Sequence, residues 1–224
     1  MFRTLNADEI DCRVSQIASN WLTLLLYKDA RVDQNILDET VGPMNWQKRY
    51  CRDNANCIVG IWDSEKQQWI EKEDTGTESF SEAEKGLASD SFKRACFNWG
   101  IGRELYTAPS IIIFPRDDMI KKGLQSEFYD KGNGKFETKT RFWVEFIDYD
   151  TNKNIKDLII RDNKNNIRFS KLSKEIEQKL LKITKDLKDA IEEKESKEKD
   201  WDRTQLYKQY CKLYCISTFL VLYE

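Results

Sequence analysis

The sequence predicts an α+β fold in which an antiparallel core of β-hairpins packs on one long helix, with a helical extension at the C-terminus. Three observations carry this. Residues 57–76 read as two strands around a turn and are followed by an amphipathic helix over 81–99. Residues 140–169 alternate apolar and polar positions between Asn- and Asp-rich turns, which is a strand meander. From Lys171 the apolar period changes from two to between three and four, the spacing of a helix face. That change sets a boundary between residues 1–170 and a Lys/Glu-rich extension over 171–224.

Taken in order, Trp21 to Tyr27 is an apolar run compatible with strand or helix. Val32, Ile36, Leu37 and Val41 then define a short helix, which Gly42-Pro43 ends because glycine tolerates a left-handed cap and proline cannot continue a helix. In the hairpin CIVGIWDSEKQQWIEKEDTG the apolar positions are Ile58, Trp62, Trp69 and Ile70, and Asp63 to Lys66 form the turn. The next helix opens on a capping box, Ser81-x-x-Glu84, preceded by Phe80. Its inner face is Ala83, Leu87, Ala88, Phe92, Ala95 and Trp99. The strand PSIIIF follows, and then TRFWVEFIDYD, with Phe142, Val144 and Phe146 on one side and Trp143 and Glu145 on the other. IKDLIIRD adds a second strand and NNIRF a short edge. The stripe of the last helix is Leu172, Ile176, Leu180, Ile183, Leu187 and Ala190 or Ile191, after which EEKESKEKD loses it and reads as a solvated linker or frayed end.

Composition excludes several chemistries. The 224 residues include no histidine, so a Ser-His-Asp triad, a Cys-His dyad and a Cys/His zinc site are all ruled out. None of the six cysteines forms a C-x-x-C pair; with no secretory signal at the start, free thiols in a reducing compartment are expected. No apolar run reaches the ~20 residues needed to span a bilayer, and Ile216 to Tyr223 reads as a packed terminal element or a subunit contact. No Walker-type phosphate loop is present. Carboxylates such as Asp117-Asp118 or Asp148/Asp150 could chelate a magnesium ion, but adjacent acids in turns are ordinary and nothing converges on them with a nucleophile. Charge is uneven: residues 1–150 hold 20 Lys+Arg against 26 Asp+Glu, while residues 151–224 are net positive. An anion bound by the first part must therefore meet a local groove rather than a global field.

Two cationic groups are candidates for such a groove. On the 81–99 helix, Lys85, Ser89 and Lys93 form a ridge four residues apart, and Arg94 lies ~100° round from Lys93. They either face solvent, with Arg94 paired to Asp90, or face a phosphate backbone. In NWQKRYCR, Lys48, Arg49 and Arg52 interleave with Trp46 and Tyr50, the mixture that single-strand binding uses; the alternative is a core Trp and Tyr with exposed cations. YKDAR adds Lys28 and Arg31, with Asp29 able to neutralise either. Gly100-x-Gly102 suits a sharp reversal and is weak evidence for a phosphate loop.

Three blocks in order, LLYKDARVDQNILDETVGPMNWQKRY, IVGIW and EAEKGLASDSFKRACFNWGIGRELY, resemble the phage and prophage branch of the Rad fifty-two/Rad twenty-two recombination family of single-strand annealing proteins. The resemblance covers Cys12 to Phe114 and extends weakly to Phe169. It implies a β-β-β-α core with added helices, ATP-independent binding of single-stranded DNA and pairing of complementary strands. It further implies side-by-side assembly into homo-oligomer rings or filaments, no cofactor, no bond-breaking chemistry, and a place in DNA recombination and repair in the cytoplasm of a bacterial host, on the nucleoid. Lys93 and Arg94 of FKRA match the family's backbone-contacting pair, Arg31 of ARVD a groove arginine, and Lys85 a basic position. Three residues after Arg94, near where eukaryotic members carry another arginine, this chain has Phe97-Asn98, so Lys48 and Arg49 are expected to make up the charge. The tail after Ser170 matches nothing in the family; a role in recruiting a single-strand-binding protein or a neighbouring subunit is expected. The competing expectation is a non-catalytic oligomeric scaffold whose last helix binds a partner protein.

Overall fold

The computed structural model describes residues 1–77, 83–116 and 127–197, with side chains throughout these stretches except at 83–85 and 194–197. The chain forms two compact units, and it crosses between them within two of its strands. One unit comprises Met1–Arg13 and Leu26–Pro109; the other comprises Val14–Leu25 and the described residues from Ser110 onward. The capping box at Ser81, Asp117-Asp118, Cys211, Cys215 and the apolar run from Ile216 all lie outside the described residues.

The first unit contains the β-β-β-α arrangement. After β1 (Asp11–Ile17) and β2 (Leu22–Tyr27), helix α1 runs over Ala30–Val41. Asp29 caps its start, and it ends at Gly42, where φ is 85°. Three antiparallel strands then pair in sequence order, β3 (Trp46–Cys51), β4 (Asn56–Asp63) and β5 (Gln68–Thr75), and helix α2 (Ala83–Trp99) packs on one face of them. Asp63 makes the β4–β5 turn by accepting from the backbone N–H groups of Glu65 and Lys66, each at 3.0 Å. Among the described side chains of α2, Phe92, Ala95 and Cys96 are the buried apolar ones, and Trp99 Nε1 donates to the Val59 carbonyl of the central strand at 3.0 Å. Gly76 lets β5 approach the helix, since a Cβ there would sit 2.5 Å from Ser91 N and 2.6 Å from the Leu87 carbonyl.

The second unit holds a six-stranded sheet in the order β11-β10-β9-β1-β2-β6, with β6 at Ile111–Ile113, β9 at Phe142–Tyr149, β10 at Ile155–Asp162 and β11 at Ile167–Lys171. A small pair, β7 (Tyr129–Asp130) and β8 (Phe136–Glu137), stands apart from it. The β9-β10-β11 meander follows the sequence expectation, including β11 at the edge, but the alternation in β9 does not hold to its end. Val144 faces Ile160 and Phe146 faces Ile159, so Glu145 is an extra residue in the ladder. A bulge moves every later side chain to the other face, which is why Phe146 is exposed.

Two consecutive hairpin turns share one construction. In each, the first Asp accepts from backbone N–H groups two and four residues on, and an Asn four residues on donates its side-chain amide to the same carboxylate; this holds for Asp150 with Asn154 and for Asp162 with Asn166. The Asp150 carboxylate is thus a turn builder. Helix α3 (Lys174–Lys197) packs Leu180 against Ile159 and Ile167. Buried Asp157 fixes its start by accepting from the Ser173 N–H and, at 3.2 Å, from the Ser173 hydroxyl. The inward stripe departs from expectation by one residue: Thr184 is buried and donates to the Leu180 carbonyl at 2.7 Å, while Ile183 is exposed. A hydroxyl that bonds back to its own helix is cheap to bury, and apolar spacing alone does not register it.

Candidate nucleic-acid interface

The candidate cations lie in the first unit, and the first cluster forms at the start of α1. Asp29, in extended conformation, accepts from Arg31 N at 2.8 Å and from Arg31 Nε at 2.9 Å. The Arg31 side chain is 83% exposed. Lys93, half-buried on α2, lies close enough to Asp29 and Asp33 to favour the ionised form of both. Hydrogen bonds from Arg31, reinforced by Lys93, hold the Asp29 carboxyl below its ordinary range. Arg31 therefore pairs with Asp29, and the charge of Lys93, from a different helix, reaches the same carboxylate.

Lys28 departs from the expectation. Its side chain turns inward, is 7% exposed and pairs with Asp33, which is fully buried. Asp33 occupies the inner stripe of α1 with Ile36 and Leu37, three and four residues on. Burial pushes its carboxyl up to about 6, against the pull of Lys28, and its Oδ2 has no hydrogen-bond partner among the described residues. Gly102, at φ 77°, closes over the aliphatic stem of Lys28 where a Cβ would collide with Cε and Cδ. Lys28 is thus a committed core cation that no phosphate reaches. An acid inside an apolar stripe, five residues after a lysine, is the sequence signal for this pair.

Arg94 is exposed and its Nε lies 3.3 Å from Asp74 of β5. The Asp90–Arg94 pair of the solvent-facing alternative does not form; Asp90 instead accepts from Thr77 N at 2.9 Å and Thr77 Oγ1 at 3.1 Å. Adjacent on α2, Lys93 turns toward α1 and Arg94 toward β5. Lys85 lies on the same helix, and its side chain is outside the described residues.

Lys48 and Arg49 do not converge. They are neighbours on β3, so strand alternation sends them to opposite faces. Lys48 shares the helix side with Trp46 and Tyr50, its Nζ 4.5 Å from the centroid of Phe92. Arg49 lies on the far side, where Nη2 donates to Glu71 at 2.7 Å. Trp46 stacks on Phe92 at 6.2 Å and donates Nε1 to Asp38 at 2.6 Å, so it serves the packing of β3.

Sequence reasoning missed two cations at the C-terminus of α2. Arg103 donates to the carbonyls of Phe97 and Asn98, each at 2.7 Å, and Lys72 donates to Asn98 O at 2.8 Å while lying 4.5 Å from the Trp99 ring centroid. A helix C-terminus presents carbonyls and the negative end of the dipole, so it gathers cations. The Gly100-x-Gly102 turn is accordingly a helix ending, with φ of 99° and 77° at its glycines, and no phosphate cradle. The available signal was an arginine within a turn of a glycine-ended helix.

Among the described residues no group of three or more acids and thiols is placed to hold a metal ion, and no helix is long and apolar enough to cross a membrane. Burial pushes the Cys12 thiol up to about 12 and the Cys57 thiol up to about 11, which disfavours the nucleophilic thiolate. Comparison with family models, curated proteins and solved structures finds no match to this chain. The arrangement offers surface and half-buried cations beside single carboxylates, each of which an incoming phosphate can replace as partner.

Proposed function

We propose that the chain binds single-stranded DNA without ATP and anneals complementary strands in phage-type homologous recombination and repair, acting as a homo-oligomeric ring or filament. The observation that carries this reading is the exposed Arg31 paired with Asp29 at the start of α1, the Lys93 charge on α2 within electrostatic reach of the same carboxylate, and exposed Arg94 next to Lys93 in sequence but turned toward β5, in a unit of β-β-β-α order. Two strands repel through their phosphates; cations that neutralise one backbone reduce that repulsion and release counterions. Phosphate contacts position the strand without reading sequence, so its bases stay available for pairing. An acidic first unit suits this role, because only the groove has to be basic.

Fluorescence anisotropy with a labelled oligonucleotide tests the reading. Expected is sequence-tolerant binding whose log affinity falls with log salt by about 0.7 per phosphate contact, with Lys93→Ala and Arg94→Ala each flattening that slope. Salt-independent binding, or wild-type affinity in both variants, contradicts it. A second reading, a scaffold that binds a protein through α3, is favoured by Leu181 and Ile183, which are 51% and 46% exposed on that helix. Retained partner capture by a protein that ignores single strands would select it.

A further inference from the structure

Phe97 follows Lys93 by four residues and Arg94 by three, so it lies one turn beyond both and, in angle, between Lys93, which turns toward α1, and Arg94, which turns toward β5; this strip of α2 runs about 6 Å along the axis from Lys93 to Phe97. The strip ends in an aromatic group. The ring of Tyr106 lies 4.7 Å from that of Phe97, tilted by 58°, and the Arg103 guanidinium lies 5.6 Å from the Phe97 centroid. Tyr106 is 77% exposed, so its own burial does not explain its position.

What fixes it is the turn beneath. Residues Arg103–Thr107 form a short 3-10 helix entered through left-handed Gly102. Ile101 and Glu104 are buried under it, and Glu104 is held by the Leu5 N–H at 2.7 Å. Thr107 Oγ1 closes the turn on the Glu104 carbonyl at 2.7 Å. A rigid base thus presents a flat ring to solvent. Arg103 is exposed, and its bonds to Phe97 O and Asn98 O use two of the five guanidinium N–H groups, leaving three for another acceptor.

We propose that Tyr106, backed by Phe97 and flanked by Arg103, is a stacking platform for one base of a single strand whose phosphates run along Lys93 and Arg94. This rests on the single-strand reading above. Charge selects the occupant: a ring at the end of a row of cations suits a ligand that alternates anion and π-face, which a single strand does and an apolar protein surface does not.

The test titrates wild type, Tyr106→Ala and Tyr106→Trp into a labelled oligothymidylate and into a labelled strand of abasic sites with the same number of phosphates. Tyr106→Ala is expected to weaken oligothymidylate binding about ten- to a hundredfold at unchanged salt slope. It binds the abasic strand as wild type does, and Tyr106→Trp recovers the loss. Equal oligothymidylate affinity of wild type and Tyr106→Ala, with Lys93→Ala still impaired, overturns the platform and leaves the single-strand reading standing. Failure of wild type to bind any strand overturns both. Altered subunit association in light scattering, with strand affinity intact, assigns the ring to a second copy of the chain and overturns the platform.

Discussion

Arg31 in the first unit and Arg168 in the second are both held by carboxylates, and they are held in opposite ways. Arg31 shares one acid, Asp29, at the surface. Arg168 is 5% exposed and meets Glu127 at 2.7 Å and 3.0 Å, Asp162 at 3.0 Å and the Phe114 carbonyl at 2.6 Å, with the Phe142 ring 5.6 Å away. The first arrangement is worth little to the fold, because solvent screens it and two side chains lose freedom to make it. It is therefore exchangeable, and a phosphate can replace the acid. The second has every partner a guanidinium needs and is committed to the fold. Lys28 shows that commitment also occurs within the first unit, a few residues from Arg31.

The largest expected effect breaks the committed side. Arg168→Ala leaves Glu127 and Asp162 without their shared cation and is expected to cost ~3–5 kcal/mol in urea unfolding of the second unit. A loss under about 1 kcal/mol would mean that the network contributes no more than a surface pair. The same residues set an acid limit. Against the upward push of burial, hydrogen bonds from Arg168 and Thr140 hold the Glu127 carboxyl, and those from Asn166 and Arg168 the Asp162 carboxyl, below the ordinary range. As pH falls below that range the unfolded chain takes up protons first, and the stability the network supplies at neutral pH is lost.

Lys28→Met is the intermediate case and carries the opposite pH sign. At pH 7 it strands the Asp33 carboxylate in the core, at an expected cost of ~2–4 kcal/mol. Asp33 already titrates at about 6, above its ordinary value, because of burial. A raised carboxyl penalises the fold as pH rises through that value, and losing Lys28 raises it further. The variant should thus recover much of its stability at pH 5, as urea midpoints at the two pH values would reveal. Equal losses at pH 5 and pH 7 would place the cost of the substitution in packing around the lysine stem rather than in charge.

The fold was legible wherever periodicity or turn chemistry spoke alone. The β4–β5 hairpin, the α2 face with Phe92 and Ala95, the Gly42 helix end and the β9-β10-β11 meander all follow from local rules. The misses share a cause: each depends on which way one side chain turns once elements pack. Phe146 was lost to a single inserted residue, Ile183 to a neighbouring threonine able to bond its own helix, and Lys28 to an acid hidden in an apolar stripe. Lys48 and Arg49 looked like one patch because proximity in sequence hides the alternation of a strand. At the candidate site, the pairing of Arg31 with Asp29 follows from their closeness in sequence, whereas the approach of Lys93 to Asp29 and the pairing of Arg94 with Asp74 of β5 depend on tertiary packing. Arg103 and Tyr106 escaped notice because they lie past the helix end, where no periodic pattern places them.

The smallest expected effect on the fold is the sharpest on the exchangeable side. Asp29→Asn keeps a residue that caps a helix as well as aspartate does, so unfolding midpoints should barely move. It removes the carboxylate charge that competes with an incoming phosphate for Arg31 and that the Lys93 charge also reaches. Single-strand affinity should therefore rise, most at low salt where the competing acid is least screened, and the dependence on salt should steepen. The substitution isolates charge from shape, since Asn and Asp are nearly isosteric and both accept from Arg31 N. Unchanged or weaker affinity in Asp29→Asn would show that Asp29 orients Arg31 for the strand rather than competing for it, and Arg31 would then belong with the committed cations after all.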